Sequence, residues 1–282
     1  MSRLLVSVIL LIHPMAALSG QTLPGSQVRT DVEFLSADTL EGRGTGYPGA
    51  EAAARYIAGR FEGLGLRQVS GLSGWYQSYQ ISPSAPAVHG SEIGGRTSRN
   101  VVALLPGRDA RLSAEYLIIG AHYDHLGRGG SGSRDPDSTG VVHNGADDNA
   151  SGVAALLEIA RQLSGSRPAR SILFVAFSGE ELGLLGSTAF VKSAPVPMDR
   201  VVAMLNFDMV GRLREDRLIV NGVETATEFR PLLDSLNRIF NFSLTATGGG
   251  YGPSDHAAFT PAGRPVLHFF HRDPRGVPSD LR

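Results

Sequence analysis

Six apolar runs recur along the chain, each bounded by Gly, Pro or charged residues: NVVALLPG (100–107), EYLIIGAHYD (115–124), SILFVAFS (171–178), VVAMLNFDMV (201–210), RLIVNGV (217–223) and RPVLHFF (264–270). Most are continuously apolar rather than alternating, the pattern of strands covered on both faces. Helical spacing fills the intervals. In SGVAALLEIARQLSG (151–165), Val153, Leu156, Leu157, Ala160 and Leu163 share one face, and further helices are expected at about 181–193 and over 225–240. Upstream, Ala53, Ile57, Phe61 and Leu64 predict an amphipathic helix within 49–66, closed by Gly63 and Gly65. Residues 29–48 read as polar and turn-rich. Residues 70–98, with the single Trp75, read as a loop or an edge hairpin. Strands alternating with helices predict an α/β fold: a mostly parallel mixed central sheet flanked by helices on both faces.

The first 20 residues break this pattern. Arg3 precedes an apolar stretch from Leu4 to about Leu18, followed by the small residues Ser19 and Gly20. This is the layout of a signal peptide, which predicts an exported protein, periplasmic or extracellular. A membrane anchor is the alternative, but the stretch is short and His13-Pro14 interrupts it. No stable membrane span is expected after signal removal, and residues 21–282 are expected to form a single domain. A net charge of −1 without a basic stripe argues against nucleic acid as a partner. The chain has no cysteine, which excludes disulfides, thiolate ligands and a Cys nucleophile. Any metal site must therefore use His, Asp and Glu.

Those residues gather where the apolar runs stop. EYLIIGAHYDHLG ends with His122, Asp124 and His125; SILFVAFSGEE with Glu180 and Glu181; VVAMLNFDMVG with Asp208. HNGADDNASG brings Asp147 and Asp148 just before a helix, and GYGPSDHAAF carries Asp255 and His256. In open α/β sheets ligands bind beyond the carboxyl ends of the strands, so these ends are expected to converge. The composition suits an oxygen- and imidazole-liganded metal centre. Each feature also has a plainer reading: His122 as a loop histidine, ADDNAS as a helix cap. Asp208 within an apolar run and the adjacent pair Glu180-Glu181 are harder to explain without a cation. His122 and Asp124 share a strand face, so Asp124 is expected to orient the His122 ring.

GAHYDHLG, HNGADDNASG, FSGEELGLLGS, LNFDMVGR and PSDHAAF together resemble the M28 family of zinc peptidases, mainly aminopeptidases, over about residues 30–270. LSADTLEGRGTGYPGAEAAARYIAGRFEGLGL resembles the N-terminal region of its secreted bacterial members. The resemblance implies two Zn2+ ions at the strand ends. His122 and Asp208 would hold one, Glu181 and His256 the other, and Asp148 would bridge them, followed by a non-proline cis peptide bond. It also implies Glu180 as the general base and Asp124 as a second catalytic residue. The substrate would be a peptide with a free N-terminus, cleaved by a metal-bridging hydroxide. Two zinc ions would balance the carboxylates of Asp148, Glu181 and Asp208 plus that hydroxide. Tyr251 is a possible oxyanion donor or simply a Gly-rich loop residue, and the loop 127–145 is expected to border the pocket.

Carboxypeptidase or glutaminyl cyclase chemistry on the same fold, or a binding domain without catalysis, remain the competing readings. The tail HRDPRGVPSDLR holds His271 and Asp273 but no candidate for the final helix expected from the resemblance, so a C-terminally shortened member is expected.

Overall fold

A computed structural model describes residues 25–85, 92–129, 140–166 and 168–271. The expected signal segment, Asp273 and most of the tail lie outside the described residues, as does part of the 127–145 loop. Within them, eight strands form one sheet: β1 (Tyr76–Gln80), β2 (Thr97–Leu105), β3 (Tyr116–His122), β4 (Ser171–Phe177), β5 (Val201–Phe207), β6 (Arg217–Asn221), β7 (Ser243–Thr247) and β8 (Val266–Phe270). Their spatial order is β1-β2-β4-β3-β5-β8-β6-β7. The central run β4-β3-β5-β8 is parallel, whereas β1-β2, β2-β4 and β6-β8 are antiparallel. The carboxyl ends of β3, β4, β5 and β8 therefore reach the same edge.

The unbroken apolar character of β4 follows from this position. Every residue of Ser171–Phe177 is buried. Ile172, Phe174 and Ala176 face one core cluster, while Leu173, Val175 and Phe177 face the other. The first cluster lies under α2 (Pro48–Gly63) and α3 (Gly152–Ser164), with α1 (Gly25–Leu35) entering it through Leu35. The second lies under α4 (Leu185–Lys192) and a tight turn, Asp255–Phe259, where the rings of Phe177, Phe190 and Phe259 meet at 5.9–6.2 Å. A third cluster seats α5 (Phe229–Phe240) over β6–β8 and shares Leu117 with the first, so both occupy the same sheet face.

Two elements depart from the pattern reading. Residues within the turn-rich 29–48 stretch contribute to α1, where Val28, Val32 and Leu35 make a thin apolar stripe in a polar sequence. Arg60 and Tyr56 of α2 both reach Asp31 of α1, fixing the two helices together. The other is β7, a five-residue strand at the sheet edge in which only Ala246 is buried, too little apolar signal to mark it. The 70–98 region does form an edge hairpin, β1 with β2.

Phe61 of α2 is fully buried, 6.5 Å from the Trp75 ring and 6.3 Å from that of Phe174. Phe61→Ala is expected to destabilise the fold by about 3–5 kcal/mol in urea unfolding. Ile239→Ala, at a side chain 68% exposed, should stay within about 0.5 kcal/mol. Equal losses would contradict this assignment of the core.

Candidate metal centre

Beyond the last residues of β3, β4 and β5 the chain leaves the sheet and its polar side chains turn toward one space. His122 is anchored first. Its Nδ1 lies 3.1 Å from the carbonyl oxygen of Asp124, so an N–H there donates to the main chain and Nε2 faces the acids. Nε2 is 3.4 Å from Asp148 Oδ1, 3.4 Å from Asp208 Oδ1 and 3.9 Å from Glu180 Oε2. Asp124 thus holds the ring through its main-chain carbonyl. Its carboxylate is 3.8 Å from Nδ1 and accepts hydrogen bonds from Thr45 Oγ1 (2.7 Å) and the Glu180 amide (3.2 Å). One buried carboxylate in this way ties the ends of β3 and β4 to the N-terminal region.

The adjacent glutamates diverge. Glu180 joins His122 and Asp208 in one group, and Glu181 joins His125 and Asp148 in another. Within each group the potential ligand atoms lie within 4.8 Å of one another. His125 Nδ1 is 2.7 Å from Glu181 Oε1 and 3.9 Å from Asp148 Oδ1. The Asp148 oxygen therefore sits between the imidazoles of both groups.

Asp148 is carried by an irregular turn, Ala146–Ser151, whose peptide bond between Asp148 and Asn149 is cis. Asn149 fastens this turn to the end of β5. Its Nδ2 donates to the Phe207 carbonyl at 2.9 Å, and its Oδ1 accepts from the amides of Gly152 (2.9 Å) and Met209 (3.2 Å). Gly145 enters the turn at φ +57°, where a Cβ would lie 2.5 Å from the His125 ring. Only glycine lets the chain approach that imidazole so closely. The neighbouring Asp147 points elsewhere, accepting from His271 Nε2 at 2.6 Å and the Gly211 amide at 3.0 Å.

His256 stands apart from both groups. It lies in the Asp255–Phe259 turn with its ring stacked on His268 at 4.3 Å, and its nitrogens have no hydrogen-bond partner among the described residues. Burial pushes its pKa down to about 3, so the ring is neutral. The imidazole gathered with Asp148 and Glu181 is instead His125, which follows Asp124 directly in the sequence. The visible signal for it was the strand-end run HYDH. Tyr251 is 74% exposed.

The electrostatics are those of an acid cluster short of positive charge. Burial, reinforced by nearby carboxylates, raises Asp148 and Glu181 to about 7 and lifts Glu180 well above the usual carboxylate range. For Asp208 burial works upward, but the adjacent His122 outweighs it and holds the carboxyl down at about 2. Burial opposes charge on His122, yet Glu180, Asp208 and Asp148 overcome it and raise the ring well above its ordinary value. Carboxylates and imidazoles converging in this way are the donor set of borderline divalent ions such as zinc, and a cation there would relieve the repulsion. The residues present fit such a group.

Comparison with known proteins agrees with this reading of the fold. The profile described as Peptidase family M28 matches residues 100–278. Aminopeptidase YwaD of Bacillus subtilis is 32% identical over 184 residues, covering 64% of this chain and 37% of that protein. The chain spans about half the length or less of several curated relatives it matches. Among solved structures, BSAP, a zinc aminopeptidase from Bacillus subtilis, superposes with a TM-score of 0.69 at 19% identity, over 89% of this chain and 86% of that one. A glutaminyl cyclase from Porphyromonas gingivalis gives a TM-score of 0.71 at 20% identity, over 89% and 85%. At these identities the likeness speaks for the shared fold. Since the profile match runs from β2 past β8 and takes in both acid–imidazole groups, the chain belongs to peptidase family M28.

Proposed function

We propose that this chain is an exported dizinc metallo-aminopeptidase that removes N-terminal residues from peptides. The observation that carries the reading is the pair of neighbouring groups, His122/Glu180/Asp208 and His125/Asp148/Glu181, with Asp148 Oδ1 between them. Family membership and relatives named aminopeptidases or zinc metalloproteases support the substrate class and the metal. Export is supported by the N-terminal sequence pattern alone.

In this reading Asp208 and His122 would hold one ion and Glu181 and His125 the other, with Asp148 placed to reach either. Zinc held there would supply Lewis acidity suited to amide hydrolysis near neutral pH. Glu180 takes the proton from the attacking water. As the C–N bond breaks, it returns that proton to the departing amine nitrogen. The amide of Glu180, donating to Asp124, fixes where this carboxylate starts. His122 stays in one tautomer because its Nδ1–H donates to the Asp124 carbonyl. The second reading is cyclisation of an N-terminal glutamine, supported by the likeness to a glutaminyl cyclase.

Release of the N-terminal residue from a free-amine peptide, but not from its N-acetylated twin, is the deciding assay, with chelator abolishing it. Pyroglutamate formation from a Gln-initiated peptide without release would favour the cyclase. Glu180→Gln should lower kcat by about 10²–10⁴-fold with zinc content unchanged. Loss of zinc in that variant would instead make Glu180 a ligand.

The acid cluster also sets a pH signature. Asp148, Glu181 and Asp255, each raised to about 7 with burial the leading cause, keep protons in the folded metal-free chain that the unfolded chain has released. The unfolded state binds fewer protons in that window, so stability falls as pH rises from about 4 to about 7. Urea midpoints should show this decline for the metal-free protein, and zinc loading should flatten it.

A further inference from the structure

The segment Asp38–Tyr47 reads as a polar, Gly-rich connection, yet it contains a fully buried arginine. Arg43 is 0% exposed, and a charged side chain so buried is costly unless it is paired. Among the described residues its hydrogen bonds all go to main-chain carbonyls. Nε donates to Tyr123 at 2.7 Å, Nη1 to Asn144 at 2.6 Å and to Leu35, and Nη2 to Gly145 at 2.8 Å. Tyr123 lies between His122 and Asp124. Gly145 opens the turn that presents Asp148. The planar fork thus spans the strip that carries His122 and His125 and the turn that presents Asp148, three of the six grouped residues, and its geometry suits such multidentate contact as a lysine would not.

The surrounding chain reinforces the clamp. The amides of His125 and Gly127 donate to the carbonyls of Arg43 (3.2 Å) and Gly42 (3.0 Å), and Thr45 donates to the Asp124 carboxylate. Gly42 sits at φ +68°, and a Cβ there would lie 2.2 Å from the Gly127 carbonyl oxygen, so the strips touch at backbone distance. The opposite charges acting on Arg43 are those of Asp124, Asp148 and Glu181; burial lowers its pKa first, to about 10, which leaves it cationic at neutral pH. The arginine and its segment precede residues 100–278, which the family profile matches, whereas Tyr123, Asn144 and Gly145, which the arginine grips, lie within them.

We propose that Arg43 is a positioning residue of the metal centre: its guanidinium clamps the His122–His125 segment to the Gly145–Asp148 turn. The role rests on reading those groups as a zinc site. A clamp at this place governs ligand spacing, and residues that orient ligands typically change metal affinity 10–100-fold when replaced.

The test compares full-length wild type, Arg43→Met, Arg43→Lys and Ile57→Ala, the last a core truncation in α2 that serves as a stability control. Zinc affinity is measured by chelator competition, alongside thermal midpoint, kcat and KM. Arg43→Met is expected to bind zinc at least tenfold more weakly and to lose kcat with KM within about twofold. Arg43→Lys, which keeps charge but not the fork, is expected to fall between Met and wild type. Ile57→Ala should keep wild-type zinc affinity despite a lower midpoint. A folded Arg43→Met with wild-type affinity and kcat overturns the role, as does an equal zinc loss in Ile57→Ala. If Arg43→Met does not fold, wild-type zinc affinity in Arg43→Lys overturns it. Failure of the wild type itself to bind zinc overturns the metal reading and this role together.

Discussion

Carboxylates that cannot all be ionised at once govern this molecule. Asp148, Glu180, Glu181 and Asp208 share one desolvated space with His122, and burial makes their mutual repulsion far stronger than it would be in water. No sequence seeking stability alone would assemble them. The surrounding structure can be understood as the framework that holds such a set in place: a parallel core whose strand ends deliver the groups, and apolar clusters on both sheet faces that resist their separation.

The framework works by dividing labour between neighbours in sequence. In two places one residue faces the cluster while a residue one or two positions away fastens the surrounding chain. Asp148 enters the site and Asp147 holds His271; His122 presents Nε2 while Asp124 ties Thr45 and the Glu180 amide. Glu180 and Glu181 extend this to two groups served by consecutive residues. Adjacent side chains leaving a strand diverge, and here that divergence sends two consecutive carboxylates into different acid–imidazole groups.

Much of this was legible in the chain. The long apolar runs marked every strand of the parallel core because burial on both faces erases alternation, and the acids where those runs stop marked the edge that matters. What sequence pattern could not supply was direction. His256 and His125 are both imidazoles near acidic residues, and only the path of the Asp255–Phe259 turn decides that one stacks on His268 while the other meets Glu181. Arg43 was invisible for a different reason: its partners are main-chain carbonyls, which leave no residue signature. Helix α1 and strand β7 were missed because each buries so little.

The Arg43 contacts carry a consequence for how the protein is made. They join positions 80, 101 and 102 residues apart, and the groups they brace come from segments as distant as Asp208. Closing loops of that length must be compensated by contacts formed after closure, so topology of this kind folds slowly. On a growing chain the arginine emerges with Leu35 already made but long before Tyr123, Asn144 and Gly145, its other partners. The centre is therefore completed only when the sheet is, and any ion captured there reports a finished fold rather than guiding an early one.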